Sequence, residues 1–319
     1  MREGDQTTWT TTGRASEVVR SAAFNTLALA LAFAGVGDIS RATDAIPGNG
    51  ELTRTDKSKF TLFNPTPKEY LRELAPDRPD KTEGPYTVDA GHFQIELDLA
   101  TYTYDRERAN GVRRRVDAWA IAPCNFKVGL WNQADFQVVI ETWNEVSTRE
   151  RSAGVRLKEH SSGFGAVTTR LKYNFWGNDG GPTALAVMPF LTLPTSQEEL
   201  RSNSIEGGAF LPLAVELPGG FGMGSMTGLA LRRDETGNDY HVESVNSITF
   251  GRDIVGQLAG YLEFFSSVSA ERGSAWVGTF DLGLTYGLSE NVQLDAGVNI
   301  GLTKSADDLN PFLGLSCRF

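Results

Sequence analysis

The chain has 319 residues, of which 40% are hydrophobic, and it carries a formal net charge of -10 at pH 7. This acidic balance excludes a general nucleic-acid binder, because such proteins neutralise phosphates with clustered Lys and Arg. The 2 cysteines and 3 histidines are too few and too far apart for a disulfide framework or a zinc site, so we predict no cofactor. The 34 glycines and 6 tryptophans favour many strands joined by tight turns over a helical bundle.

The first feature along the chain is typical of an export signal. Two arginines precede an Ala/Leu-rich apolar run at 21–36, which is too short for a comfortable membrane span but suits the hydrophobic region of a secretory signal. We predict that residues 1–45 are a signal peptide, cleaved after Ala34 or after Ala45. A buried helix of a cytosolic protein is the less favoured alternative, because nothing downstream continues a helical pattern.

Residues 46–89 show no alternation between polar and apolar side chains. The stretch from 64 to 74 predicts one short helix at about 67–74, and the residues that follow are rich in proline and charge. We predict an N-terminal segment outside the main fold. Its composition suits a loose periplasmic tail and a plug equally well, and the sequence leaves that choice open.

Over the rest of the chain, segments of about ten residues alternate between apolar and polar positions with a period of two. In the stretch 291–302, for example, Leu294 and Val298 fall on one face of a strand, and Asp295 and Asn299 fall on the other. The pattern predicts roughly twelve strands. They lie near 93–99, 114–124, 135–141, 167–175, 182–193, 205–217, 223–233, 240–250, 257–264, 276–286, 291–302 and 310–319.

The connections between these strands fall into two classes. Short turns are predicted near 176–182, 217–222, 251–253 and 287–290. Longer polar loops are predicted near 104–113, 147–163, 194–204, 234–239, 269–275 and 303–309. Short turns on the periplasmic side and longer loops outside are typical of outer-membrane barrels, and an even strand number would return both chain ends to the periplasm.

Alternation alone leaves two all-β folds open. In a soluble sandwich the apolar faces point inward, whereas a barrel in lipid turns them outward and keeps its polar faces around a lumen. The export signal, the aromatic residues near strand ends and the two classes of connection favour the barrel. We therefore predict an all-β protein of a Gram-negative outer membrane, with an antiparallel transmembrane β-barrel at 90–319 and a short non-barrel segment at 46–89.

The polar strand faces of this barrel are the candidate functional residues. They could line a solute path, or they could cross-link a closed interior through salt bridges, since buried charges must pair to be tolerated. No catalytic, cofactor-binding or metal-binding residue is predicted. The predicted lumen-lining residues are Gln94, Glu96, Asp98, Gln137, Glu141, Arg170, Lys172, Glu263, Asp281, Asp295 and Asn299.

Two predicted loops, 105–115 and 147–160, concentrate Arg and Lys in an otherwise acidic chain. At the outer surface, guanidinium groups suit bidentate pairing with phosphates, so outer-membrane lipid and lipopolysaccharide are predicted partners. A merely solvated loop is the alternative that the composition leaves open.

The stretches DRPDKTEGPYTVDAGHFQIELDL (77–99) and VGTFDLGLTYGLSENVQLDAGVNIGLTKSADDLNPFLGLS (277–316) carry a family resemblance, together with 171–195 and 211–224. On these residues, the chain resembles the Gram-negative outer-membrane transporter family labelled MetA-pathway of phenol degradation, over nearly everything after residue 77. The resemblance implies a channel or transporter for small solutes, hydrophobic or aromatic molecules among them. Phe319 resembles the closing aromatic residue that the barrel-assembly machinery recognises, which implies an assembly signal.

Two functions of other classes stay as alternatives. A barrel of this size could be a hydrolase with a Ser/His pair on its outer wall, yet His241 shares a strand face with Ser247 and not with Ser244, and no GxSxG pattern occurs. The stretch 220–228 predicts a hairpin turn entering a Gly-rich strand, not a dinucleotide site, because strands lie on both sides of it. A structural barrel without flux is the second alternative. We predict a channel, not an enzyme.

Overall fold

The structure is a computed structural model, and it describes residues 56–109, 111–197, 200, 204–234 and 239–319. The predicted signal peptide at 1–45 lies outside the described residues. In the part of the chain that is described, no helix is long and apolar enough to cross a membrane.

Fifteen β-segments build the fold. They are β1 (Phe93–Ala109), β2 (Val112–Ile121), β3 (Cys124–Trp131), β4 (Ala134–Ile140), β5 (Trp143–Ser152), β6 (Val155–Gly163), β7 (Val167–Trp176), β8 (Thr183–Leu193), β9 (Glu206–Leu217), β10 (Phe221–Arg233), β11 (Tyr240–Val255), β12 (Leu258–Ser269), β13 (Val277–Ser289), β14 (Val292–Gly301) and β15 (Leu309–Arg318). One short 3-10 helix, Lys68–Tyr70, precedes them.

The segments form one closed antiparallel barrel. Each pairs with its neighbours, and β15 pairs with β1, which closes the sheet. Three strands are interrupted once, at 122–123, 141–142 and 164–166, so that β2 with β3, β4 with β5 and β6 with β7 each form one long strand. The barrel therefore has twelve strands, and the predicted fold class and strand number are confirmed.

The two faces of each strand differ as a barrel in lipid requires. On β12, the side chain of Leu262 is 52% exposed, whereas that of the next residue, Glu263, is 1% exposed. On β14, Asp295 and Asn299 are likewise buried in the interior. A soluble sandwich would bury the apolar face and expose the polar one. The exterior is thus an apolar surface suited to lipid, and most of the interior is polar.

The two ends of the barrel differ in their connections. The end that holds Phe93 and Phe319, which we call the terminal end, joins its strands through 132–133, 177–182, 218–220, 256–257 and 290–291. The opposite end, which we call the loop end, joins them through 110–111, 153–154, 194–205, 234–239, 270–276 and 302–308. Short connections are typical of the periplasmic side of outer-membrane barrels, which matches the terminal end.

Two of the predicted long loops are wrong. The described residues of 104–113 and 147–163 extend β1, β2, β5 and β6 into long hairpins, in which Ala109 pairs with Val112 and Ser152 with Val155. Both faces of these hairpin ends carry charged residues, so they lack the apolar alternation by which the other strands were recognised. The predicted turn at 251–253 is also wrong, because β11 continues through it and the chain turns at Gly256, with a φ of 60°.

The predicted helix at 67–74 is reduced to the three residues of the 3-10 helix. It ends early because Leu71 is extended and the Arg72 N–H donates to the Asp89 carboxylate, 3.0 Å away. The segment that follows does not lie outside the main fold. Residues 76–90 run through the barrel interior, and each of them except Tyr86 is buried. We call residues 76–90 the lumenal segment.

Candidate functional site in the barrel lumen

Arg78 of the lumenal segment lies between two carboxylates of the barrel wall. Its Nη2 donates to Asp295 Oδ1 at 2.7 Å and its Nε to Asp295 Oδ2 at 3.1 Å, while Nη1 donates to Asp98. None of the three side chains is more than 3% exposed. The guanidinium has room because residue 314 of β15 is glycine, where a Cβ atom would overlap Nη2. Arg78 thus connects the lumenal segment to β1, β14 and β15.

Asp77 lies between two lysines of the wall. Lys172 on β7 donates to Asp77 Oδ1 at 2.6 Å, and Lys127 on β3 pairs with Asp77 Oδ2 and with Glu96. The Asp77 N–H donates to Glu96 Oε1 at 2.7 Å, and Gln137 Nε2 lies 3.3 Å from Asp77 Oδ2. Charges buried this deeply persist only when they are paired and hydrogen-bonded. The cluster therefore depends on the lumenal segment being in place.

A third cluster joins the lumenal segment to β12 and β13. Lys81 Nζ lies 3.1 Å from Asp281 Oδ2, and the Lys81 N–H donates to Glu263 Oε2 at 2.8 Å. The Thr82 hydroxyl donates to the other Glu263 oxygen at 2.6 Å. Both acceptor side chains belong to the barrel wall and are almost wholly buried.

Two further contacts complete the attachment. Arg170 Nη1 on β7 lies 3.0 Å from Glu83 Oε1, and Asn174 Nδ2 donates to the Pro85 carbonyl at 2.8 Å. The lumenal segment is thus bonded to wall residues on both sides of the barrel. This part of the lumen is occupied by the lumenal segment and its ion pairs with the wall.

All eleven predicted lumen-lining residues face the interior, and each is at most 3% exposed. Eight of them bond the lumenal segment directly: Glu96, Asp98, Gln137, Arg170, Lys172, Glu263, Asp281 and Asp295. Gln94 donates to the Ala75 carbonyl, Glu141 accepts the Ala166 N–H, and Asn299 donates to Asn310. That these residues line a solute path stays a prediction.

Several interior charges were missed in the sequence. Lys127 lies beyond 124, where the second predicted strand ended, although Phe126 and Val128 continue the same alternation around it. Asp77, Arg78 and Lys81 belong to a segment without periodicity, so nothing in the pattern marked them as interior residues.

One side of the interior is apolar, which the prediction of a polar lumen did not anticipate. We call this group the Phe/Met cluster. Its members, on β8 to β12, are Met188, Phe190, Phe210, Met226, Ala230, Val245 and Phe265. The rings of Phe190 and Phe210 stack with centroids 5.0 Å apart, and Gly228 leaves space for the Phe210 ring, which a Cβ atom would overlap. The cluster adjoins the lumenal segment, since Lys81 Nζ lies 4.8 Å from the Phe265 ring centroid.

A cavity of about 740 Å³ opens at the terminal end, beside the residues that lead into the lumenal segment. Lys57 and Arg72 reach across it to the 177–182 turn, where their cationic groups lie 2.9 and 3.2 Å from Asp179 Oδ1. Burial alone would raise the pKa of Asp179, but hydrogen bonds from Asn132 and Lys57 and the charge of Arg72 lower it below the ordinary value of 3.8.

We expect Asp179→Asn to loosen residues 56–75 from the barrel by about 1 kcal/mol, the usual limit for partly exposed pairs. Because the pKa of Asp179 is lowered on folding, its stabilising effect is present above about pH 4 and is lost as the pH falls through the folded-state value. Limited proteolysis of residues 56–75 at pH 7 and at pH 3 measures both effects. Glu216→Gln is the control, since Glu216 lines the same cavity and forms no ion pair among the described residues.

The outer wall holds a Ser/His pair that the sequence did not indicate. Ser147 Oγ lies 3.2 Å from His160 Nδ1 across the β5–β6 hairpin, and Glu145 Oε1 lies 3.9 Å from the same Nδ1. In a Ser-His-acid triad, the serine and the acid contact opposite ring nitrogens. Here both contact one nitrogen, so the arrangement does not provide that relay.

His241 also has partners other than those weighed from the sequence. Its Nδ1 lies 2.7 Å from Asp234 Oδ1 and 3.8 Å from Glu271 Oε2, at the loop end of the barrel. These three groups are close enough to hold a metal ion together, which the wide spacing of histidines in the sequence did not suggest. Ser247, on the same face of β11, instead has its hydroxyl 2.8 Å from the Thr82 hydroxyl.

A sequence profile of the family described as "Putative MetA-pathway of phenol degradation" matches residues 76–319. Comparison with curated protein sequences gives no match. Among solved structures, an outer membrane channel from Pseudomonas putida F1 is 12% identical with a TM-score of 0.48, over 72% of this chain and 95% of that one. The transport unit of the autotransporter AIDA-I from Escherichia coli is 10% identical with a TM-score of 0.47, over 72% of this chain and 90% of that one. These likenesses are distant, so the fold is assigned from the strand pairing itself.

Proposed function

From the membership of this chain in the family described as "Putative MetA-pathway of phenol degradation", we propose that it is an outer-membrane channel for small solutes. Hydrophobic and aromatic solutes are included in this proposal. The observation that carries the proposal is the Phe/Met cluster on one side of a barrel interior that is mostly polar. A cluster of aromatic and Met side chains gives an apolar solute a contact surface that the polar lumen lacks.

The apolar exterior supports a location in lipid, and the predicted signal peptide at 1–45 would direct the chain to the outer membrane. Phe319 supports the predicted recognition by the barrel-assembly machinery. Its backbone pairs with Phe93 at the terminal end, while its ring is 68% exposed and free to be contacted. Membrane lipid, the assembly machinery and a small solute are therefore the proposed partners.

The lumenal segment acts in this proposal as the plug, which was one of the two roles open for residues 46–89. Its ion pairs with β1, β3, β7, β13 and β14 hold it in the lumen between these strands. Passage of a solute then requires the plug to move. Movement would also uncover the Phe/Met cluster, because Lys81 lies against Phe265.

The proposal predicts that the Phe/Met cluster takes part in solute passage. We expect Phe210→Ala to slow the entry of a naphthalene carboxylate into proteoliposomes about tenfold, because a stacked aromatic surface contributes about 1.4 kcal/mol. The carboxylate keeps this solute from crossing the lipid by itself. The entry rate is followed by fluorescence inside the vesicles.

The matched control is Leu211→Ala, because Leu211 is the next residue of β9 but lies on the exterior, where its side chain is 44% exposed. This variant should keep the wild-type rate. Equal entry of arabinose and of the aromatic solute would contradict the proposed solute class. Entry no faster than into protein-free vesicles would contradict the channel function.

A further inference from the structure

The exterior face of the hairpin ends at the loop end carries two rows of cationic side chains. Cross-strand pairing places the members of each row directly opposite one another on β1, β2, β5 and β6. The first row is Arg106, Arg115, Arg149 and Lys158, and the second row is Arg108, Arg113, Arg151 and Arg156. We call these eight residues the basic ladder, and all eight are exposed.

This arrangement is unfavourable for the sheet alone. Like charges directly opposite each other on neighbouring strands destabilise their pairing, and each row of the basic ladder repeats that contact along its length. One member is compensated locally, since Arg115 Nη2 lies 2.7 Å from Asp117 Oδ1. Within the described residues, no other member forms an ion pair. In a chain of net charge -10, the concentration of cations here points to an anionic partner from outside the chain.

The basic ladder lies just beyond an aromatic group on the same exterior face. The rings of Tyr102 and Trp119 lie 4.8 Å apart, and the Arg115 guanidinium lies 5.1 Å from the Tyr104 ring centroid. Tyr and Trp at this position mark the level where hydrocarbon meets headgroups. The first row is four residues further along β1 than Tyr102, about 13 Å along the strand, and thus at the level of headgroup phosphates.

We propose that the basic ladder binds the phosphate groups of lipopolysaccharide, the phosphorylated glycolipid of the outer leaflet. The inference rests on the proposed outer-membrane location. Arg pairs bidentately with phosphate oxygens, and neighbouring members stand about 5 Å apart across strands and about 7 Å apart along them. Two rows of four on one exposed face suit several phosphates held at a membrane surface, whereas a free phosphate ion would need a single pair of arginines in a pocket.

The test measures binding of bisphosphorylated lipid A to the full chain refolded in detergent, by native mass spectrometry. We expect Arg149→Gln with Arg151→Gln, which removes one cation from each row, to weaken binding at least tenfold. The matched control is Arg272→Gln with Lys304→Gln, which removes two exposed cations from other connections of the loop end. This control should bind lipid A as the wild type does.

Three results would overturn the inference: equal weakening by the control pair, equal binding of dephosphorylated lipid A, or no binding by the wild type. Displacement of lipid A by millimolar inorganic phosphate would likewise assign the ladder to free anions. Solute entry into proteoliposomes is measured in parallel. Entry without lipid A binding refutes the ladder and leaves the channel proposal standing, whereas binding without entry refutes the channel and leaves the ladder.

Discussion

Arg78→Gln is expected to open the barrel to ions. Arg78 compensates the buried carboxylates of Asp98 and Asp295, and its neutral replacement leaves both without a cation. Removing one partner of a buried pair costs about 3–5 kcal/mol. This penalty applies only while the lumenal segment keeps water out, so displacement of the segment becomes more favourable by more than about a hundredfold. Single-channel recordings in planar bilayers should show the change as a higher open probability.

The matched control for this experiment is Arg252→Gln. Arg252 is an exposed residue on the exterior of β11, where its guanidinium lies over the Phe221 ring, so the variant loses the same charge without touching the lumen. Correct folding of each variant is checked by the heat-dependent shift in gel mobility. A folded Arg78→Gln barrel that opens no more often than the wild type would show that the lumenal segment is not the barrier.

The parts of the fold that could be predicted from sequence are those with contrasting strand faces. Along β14 and over most of β13, apolar residues alternate with polar residues or glycine, so the existence of these strands and their inward faces follow from the pattern. β8 has apolar residues on both faces, because Met188 and Phe190 face the interior, and alternation cannot reveal which side lines the lumen. The hairpin ends were not predicted as strands for a different reason, because both of their faces carry charged residues.

Of the residues in the candidate site, only those that belong to the barrel wall could be predicted from the sequence. The polar strand faces marked Asp98, Lys172 and Asp295 as interior residues, and the structure buries them there. Their partners could not be found in the same way. Arg78 contacts Asp295 across 217 positions of sequence, and the conformation of the lumenal segment is set by such distant charges and not by local periodicity. The mixed signs of the predicted interior charges suggested pairing, but the pattern gave no partner.

Gly314→Val is expected to open the barrel without removing any charge. A Cβ atom at this position of β15 would overlap the Arg78 guanidinium, which Asp98 and Asp295 hold in place. The larger side chain must push the guanidinium away from its carboxylates, which weakens the same contacts that Arg78→Gln removes. We expect an increase in open probability of about tenfold, equivalent to about 1.4 kcal/mol. Gly287→Val is the control, because its Cβ would meet only the end of the flexible Gln257 side chain.

A double-mutant cycle separates this effect from damage to β15. In an Arg78→Ala background, the space that the guanidinium occupied is empty, so Val at 314 meets nothing that holds the lumenal segment. If Gly314→Val acts through Arg78, its effect on open probability should then disappear, since mutations that break one shared contact are not additive. If Gly314→Val instead distorts the pairing of β15 with β1 and β14, its effect should persist in full in the Arg78→Ala background. Full additivity would therefore reject Arg78 as the residue through which this glycine keeps the barrel closed.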